Sequence, residues 1–161
     1  MKNIKLKTKL FLLFLIVICI NCDGTLGGFN IISFPVSKKK IEIAFDSLYS
    51  QYPEYKIPSK WEEHNNWHKR GYGFLEGRIL YFKERPEEMY YISFIGDEQT
   101  LKDTTHIDVS IRSVFIGNKR KWLKQEDFSN DDENRIQTRF KAEIISKLEK
   151  YTNSKAKDLE Y

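Results

Sequence analysis

The chain has 161 residues with 27 Lys+Arg against 23 Asp+Glu, but Lys2, Lys5, Lys7 and Lys9 account for the whole formal charge of +4, and 23 basic residues remain against the 23 acids. A balanced body gives no electrostatic footprint for nucleic acid. Both cysteines, Cys19 and Cys22, precede that body, which therefore has no disulfide framework and no thiolate chemistry, and the 139 residues after Cys22 suffice for one domain with its own core.

The four lysines are followed by an unbroken apolar run over residues 10–20. Eleven such residues make a helix of roughly 16 Å, about half the ~30 Å of a bilayer core, so the run reads as the h-region of an export signal and not as a span. It ends in Asn21-Cys22-Asp23-Gly24, with Cys19 and Asn21 at the −3 and −1 positions relative to Cys22. This resembles the lipobox of bacterial lipoproteins, in a relaxed form. The resemblance implies that residues 1–21 are a signal peptide, that Cys22 is the lipidated first residue, and that residues 22–28 are a glycine-containing tether. It also implies a place in the cell envelope, anchored by lipid to a bacterial membrane, the outer one first.

Residues 29–36 place Ile32, Phe34 and Val36 at period two, with Pro35 limiting backbone donors, and predict a short edge strand. Ser37 is a cap for a helix whose apolar face is Ile41, Ala44, Phe45, Leu48, Tyr49 and Tyr52, stopped by Pro53. Residues 59–77 are irregular, with Ser59 and Glu62 spaced as a capping box and with Gly71, Gly73 and Gly77 arguing against regular backbone. Residues 78–83 and 88–95 predict a hairpin around Pro86, and 106–117 predicts a third long strand. On that strand Ile107, Val109, Ile111 and Phe115 face the core, and Asp108, Ser110 and Arg112 a wetter side. Ser129 or Asn130 begins the last helix, with Asp131, Asp132 and Glu133 in its first turn, Ile136, Phe140, Ile144, Leu148 and Tyr151 inward, and Arg139, Glu143 and Lys147 outward.

The order β-α-β-β-β-α predicts an α+β fold: an antiparallel sheet of about four strands with two helices on one face, a helix-grip-like two-layer sandwich spanning residues 29–151, with 152–161 as a frayed tail. That likeness is one of element order and carries no function.

Among candidate sites, the aromatic set Trp61, Trp67, Tyr72, Phe74, Tyr81, Tyr90 and Tyr91 offers stacking faces. Trp61, Trp67 and Tyr72, with Arg112 from the wetter strand face, are the expected ligand contacts. On a helix His64 and His68 share a face and suggest a zinc pair, which His106 would join in a metal-dependent hydrolase. Asn65 stands where the HExxH pattern has its glutamate, so exposed loop histidines are the preferred reading. Lys119-Arg120-Lys121 reads as a solvated turn. No GxSxG, catalytic cysteine or phosphate loop occurs, and no cofactor is expected. The function expected is therefore a non-catalytic binding or accessory module, with an envelope protein or a small ligand as partner. A periplasmic immunity-type inhibitor and a structural envelope component are the alternatives of the same kind.

Overall fold

A computed structural model describes residues 28–67, 69 and 76–159. The lipobox-like Cys22, with His68 and Tyr72, lies outside them. Within them the order is β1 (Ile31–Phe34), α1 (Lys38–Gln51), β2 (Gly77–Phe82), β3 (Glu88–Ile95), β4 (Ile107–Ile116), β5 (Lys121–Leu123), α2 (Asn130–Phe140), a π turn (Lys141–Ile145), α3 (Ser146–Thr152) and β6 (Lys157–Leu159), with short 3₁₀ turns at Pro53–Tyr55 and Ser59–His64. All pairings are antiparallel, in the order β2-β3-β4-β1-β6. β5 shares with β1 the side of β4 that β3 leaves open. The α+β sandwich expected from the element order is present, with six strands where about four were expected.

The two added strands have a common cause: each is three residues long, too short for a period to show. β6 corrects the frayed tail. Asn153 turns the chain in the left-handed region (φ 49°), where asparagine is tolerated. Glu149 then accepts from the Ala156 amide (2.9 Å) and pairs with Lys155, and Lys141 pairs with Asp158 at 2.8 Å. β1 is consequently interior, between β4 and β6, and Pro35 falls just beyond it.

α1 starts at Ser37, whose hydroxyl accepts from the Lys40 amide, and buries Ile41, Ala44, Phe45 and Leu48. α2 is capped by Ser129 in the same way, with its three acids at the positive end of the helix dipole. Its inward residues recur every fourth position, and each such step overshoots a full turn by about 40° on an ordinary helix. The π turn absorbs that drift, so that Ile144, Ile145 and Leu148 all stay in the core with Ile136 and Phe140. Each large apolar side chain in this layer contributes roughly 1.5–3 kcal/mol on burial.

Arg139, Glu143 and Lys147, expected outward, instead line the seam between helix and sheet. Glu88, the first residue of β3, is fully buried and takes a two-pronged contact from Arg135 (2.7 and 3.0 Å) and the Tyr90 hydroxyl (2.9 Å), with Arg139 at 3.5 Å. Arg139 also donates to Glu143 (3.0 Å), which accepts from Tyr55, and Lys147 reaches the same tyrosine at 3.2 Å. The spacing that suggested a solvated face describes a half-buried polar row along the seam.

β4 also departs from its expected facing. Tyr91 pairs with Ser113 and Ile92 with Ile111, leaving Arg112 as an extra residue in a β-bulge. The inward set therefore changes parity: Ile107, Val109 and Ile111 face the helices, then Val114 and Ile116, while Phe115 turns to the opposite face among Trp61, Ile79, Tyr81, Met89 and Tyr91. That face is thus not an open wet one at this end of the sheet but the floor of a second, smaller core.

Two predictions follow from these contacts. Arg135→Leu leaves Glu88 buried with fewer donors and is expected to lower the unfolding free energy by about 3 kcal/mol, with Glu88→Leu/Arg135→Leu recovering most of the loss in urea titrations. Burial pushes the hydroxyls of Tyr49, Tyr55 and Tyr90 above their ordinary value, and burial with the bond to Glu87 carries Tyr81 up to about 12. The fold thus favours the protonated phenols. Their contribution is intact below about pH 10, where free tyrosine begins to ionise, and is lost as pH rises through the folded values. The tyrosinate absorbance of these four residues, read as the difference from variants with phenylalanine in their place, is expected to appear together with loss of circular dichroism, not ahead of it.

Candidate functional site

The second core is built by the segment after Pro58. Ser59–His64 forms a 3₁₀ turn capped at Pro58, and the Ser59 side chain makes no capping bond, so the capping-box spacing is not used. This turn sets Trp61 on Phe115 (ring centres 5.1 Å apart, edge to face) and the His64 ring 4.4 Å from the same phenylalanine. Trp67 stacks on Tyr91 at 4.4 Å and 14° and meets Trp122 edge-on at 5.2 Å. Trp122 closes the layer, its indole N–H donating to the His64 carbonyl at 3.2 Å. Three tryptophans from two distant segments share this face because β5 returns beside the bulged end of β4.

Glu87 holds the layer to the sheet. Its carboxylate accepts from Lys60, from Tyr81 (2.5 Å) and from the Trp61 indole N–H (3.1 Å). Burial alone would raise the Glu87 carboxyl, but these three donors outweigh it and hold it below the ordinary carboxylate value. Arg120 pairs with Glu63 at 2.9 Å, and both Arg120 and Lys60 lie within 6 Å of the Trp61 ring. The Lys119–Lys121 turn is thus partly engaged by the aromatic layer.

Beside this layer, at the free edge of β2, is a cleft of about 450 Å³. Its apolar lining includes Trp67, Tyr91 and Ile57, and its polar lining Lys56, Glu62, Asn65 and Arg78. Two carbonyls of that edge are occupied within the chain: the Tyr49 hydroxyl donates to the Ile79 carbonyl (2.7 Å) and the Arg78 guanidinium to the Gly77 carbonyl (3.0 Å). Gly77 begins β2, and its lack of a side chain has a local purpose. A Cβ there would stand 3.0 Å from the Tyr91 ring and 2.4 Å from the Ile92 carbonyl. The phenol end of Tyr91 thus occupies the space beside the glycine, and Trp67 stacks on the Tyr91 ring. The lining offers stacking and hydrogen bonding.

Of the expected ligand contacts, Trp67 lines the cleft, and Trp61, only 9% exposed, belongs to the packed floor beside it. Arg112 is half-buried at the bulge, where its charge opposes the upward push of burial on the Tyr91 hydroxyl. Tyr72 lies outside the described residues. The histidine set does not assemble: His64 packs on Phe115 with its Nε2 3.4 Å from Glu63, whereas His106 pairs with Asp103 (3.2 Å) just before the opposite end of β4, roughly 25 Å along the strand. His68 lies outside the described residues, among which no group of three His, Cys, Asp or Glu side chains is placed to hold a metal ion. Lys56, Glu62, Asn65 and Arg78 were not expected as ligand contacts from the sequence. The signal was Gly77 at a strand start, three residues after an aromatic pair.

No known protein family, no curated protein and no solved structure matches this chain.

Gly77→Ala is expected to cost about 1–3 kcal/mol, because backbone stands in the way of the added methyl group. It should also displace Tyr91 and Trp67, read as a change in the near-ultraviolet dichroism of the aromatic layer.

Proposed function

We propose that the chain is a lipid-anchored, non-catalytic lipoprotein of the bacterial cell envelope, whose domain serves as a binding or accessory module through the aromatic layer and its cleft. The observation that carries the anchor is Cys22 at the end of the apolar run, with the polar, glycine-rich residues 23–28 behind it. Acylation by two or three chains makes membrane residence effectively permanent, where one chain holds only marginally. Six residue steps separate Cys22 from Gly28, where the fold begins, and these span at most about 21 Å. Gly28 lies against the backbone of Arg112, so the described residues start at the bulge, and a tether of that reach would keep the domain close to the lipid surface. The binding role is supported by the cleft, whose stacked floor and polar rim have the makeup of a small-ligand site.

The metal-dependent hydrolase has less support, since His64 is taken up by aromatic packing and His106 lies at the far end of β4. No described helix is long and apolar enough to cross a membrane.

The anchor is tested by the intact mass of the protein from the membrane fraction beside that of Cys22→Ser. The expected result is a species beginning at Cys22 with added fatty acyl mass, absent from the variant, which should leave the membrane fraction. An unmodified, soluble wild-type species would remove the anchor.

A further inference from the structure

Resting on the binding role proposed above, we propose that the cleft beside β2 takes a pyranose sugar carrying an acetamido group. A volume of about 450 Å³ falls within the usual range for small-molecule sites, roughly 300–1,000 Å³, and suits one or two sugar rings better than an extended chain. The composition of the lining narrows the class. An acyl chain would cover Lys56, Glu62, Asn65 and Arg78 and return no hydrogen bonds, which disfavours it. A simple aromatic compound meets the same objection at its edge. A sugar ring has the required division: an apolar C–H face for the Trp67 indole, and hydroxyls radiating in the ring plane toward donors and acceptors of both signs.

The polar residues are available for this. Glu62 and Asn65 are both exposed, and neither side chain is hydrogen-bonded to another described residue, whereas the other carboxylates around the layer, Glu63 and Glu87, are already engaged. The free carboxamide of Asn65 presents a donor and an acceptor side by side, complementary to the C=O and N–H of an acetamido group. Ile57 supplies an apolar contact for its methyl.

The test is calorimetric titration of the purified full-length protein, in a detergent without a sugar headgroup, with N,N′-diacetylchitobiose and, separately, cellobiose. Saturable binding of diacetylchitobiose is expected, with a change in tryptophan emission, and cellobiose should bind about tenfold more weakly. Trp67→Ala should weaken binding at least about tenfold and Trp67→Phe only about threefold. Because Trp67 also packs on Tyr91, Glu62→Gln and Asn65→Ala provide the check free of folding effects. Each should weaken binding about fivefold at an unchanged melting temperature. No binding of either sugar up to about 10 mM would overturn the proposal, as would equal binding of the two, or affinity unaltered in the Glu62 and Asn65 variants. Failure here with acylated Cys22 leaves the anchor standing and removes only the sugar site. Sugar binding by an unmodified protein removes only the anchor.

Discussion

A carboxylate with no exposure to water has to be balanced where it stands, and Glu88 is the point on which this fold depends. Taking its charge out of water costs several kcal/mol before any partner is counted. Arg135 meets both of its oxygens, Tyr90 adds a hydroxyl and Arg139 a second cation. Such a requirement is directional in a way that apolar packing is not. It fixes the rotation of α2 about its own axis, because Arg135 and Arg139 must both point at the start of β3. Through Arg139, Glu143 and Tyr55 the same row of contacts reaches the turn after α1, so both helices are positioned against one strand end.

The neighbouring residue does the same for the other face. Successive residues of a strand point to opposite sides, and Glu87 and Glu88 use that alternation at one strand end. Glu88 anchors the helical layer, and Glu87 gathers Lys60, Trp61 and Tyr81 into the aromatic one. The bulge at Arg112 completes the division by turning Phe115 out of the helical core and under Trp61 and Trp122. The molecule is therefore two-layered over most of the sheet and three-layered at one end.

Elements with a sustained period were legible. The hairpin strands, β4 as an element, the Ser37 and Ser129 caps and the apolar stripes of both helical segments are visible in the residues because each repeats a local rule several times. What the sequence hid is decided by single residues or by partners far along the chain. β5 and β6 are too short to show a pattern, and one inserted residue at Arg112 reverses the facing of all that follows. Arg139, Glu143 and Lys147 have the spacing of a solvated face, and only the buried carboxylate on a strand some fifty residues earlier turns it inward.

The same distinction explains where a ligand can approach. The polar residues of β4 suggested water over the middle of the sheet, yet Ser110 and Ser113 are buried, as is Ser93 on β3, paired with Ser110, and the Ser110 hydroxyl is taken by the Phe29 carbonyl at 2.7 Å. A serine among bulky neighbours is covered by them, so polarity in the sequence marks the second face without marking an open one. Access moves instead to the β2 edge, where Gly77 carries no side chain, the phenol end of Tyr91 fills that space and Trp67 stacks on the Tyr91 ring. A bulky residue at position 77 would lift the tyrosine off the sheet and close the cleft from below. The site is thus set less by the aromatic residues, which are plentiful along this segment, than by the one position that leaves room for the Tyr91 ring on which Trp67 stacks.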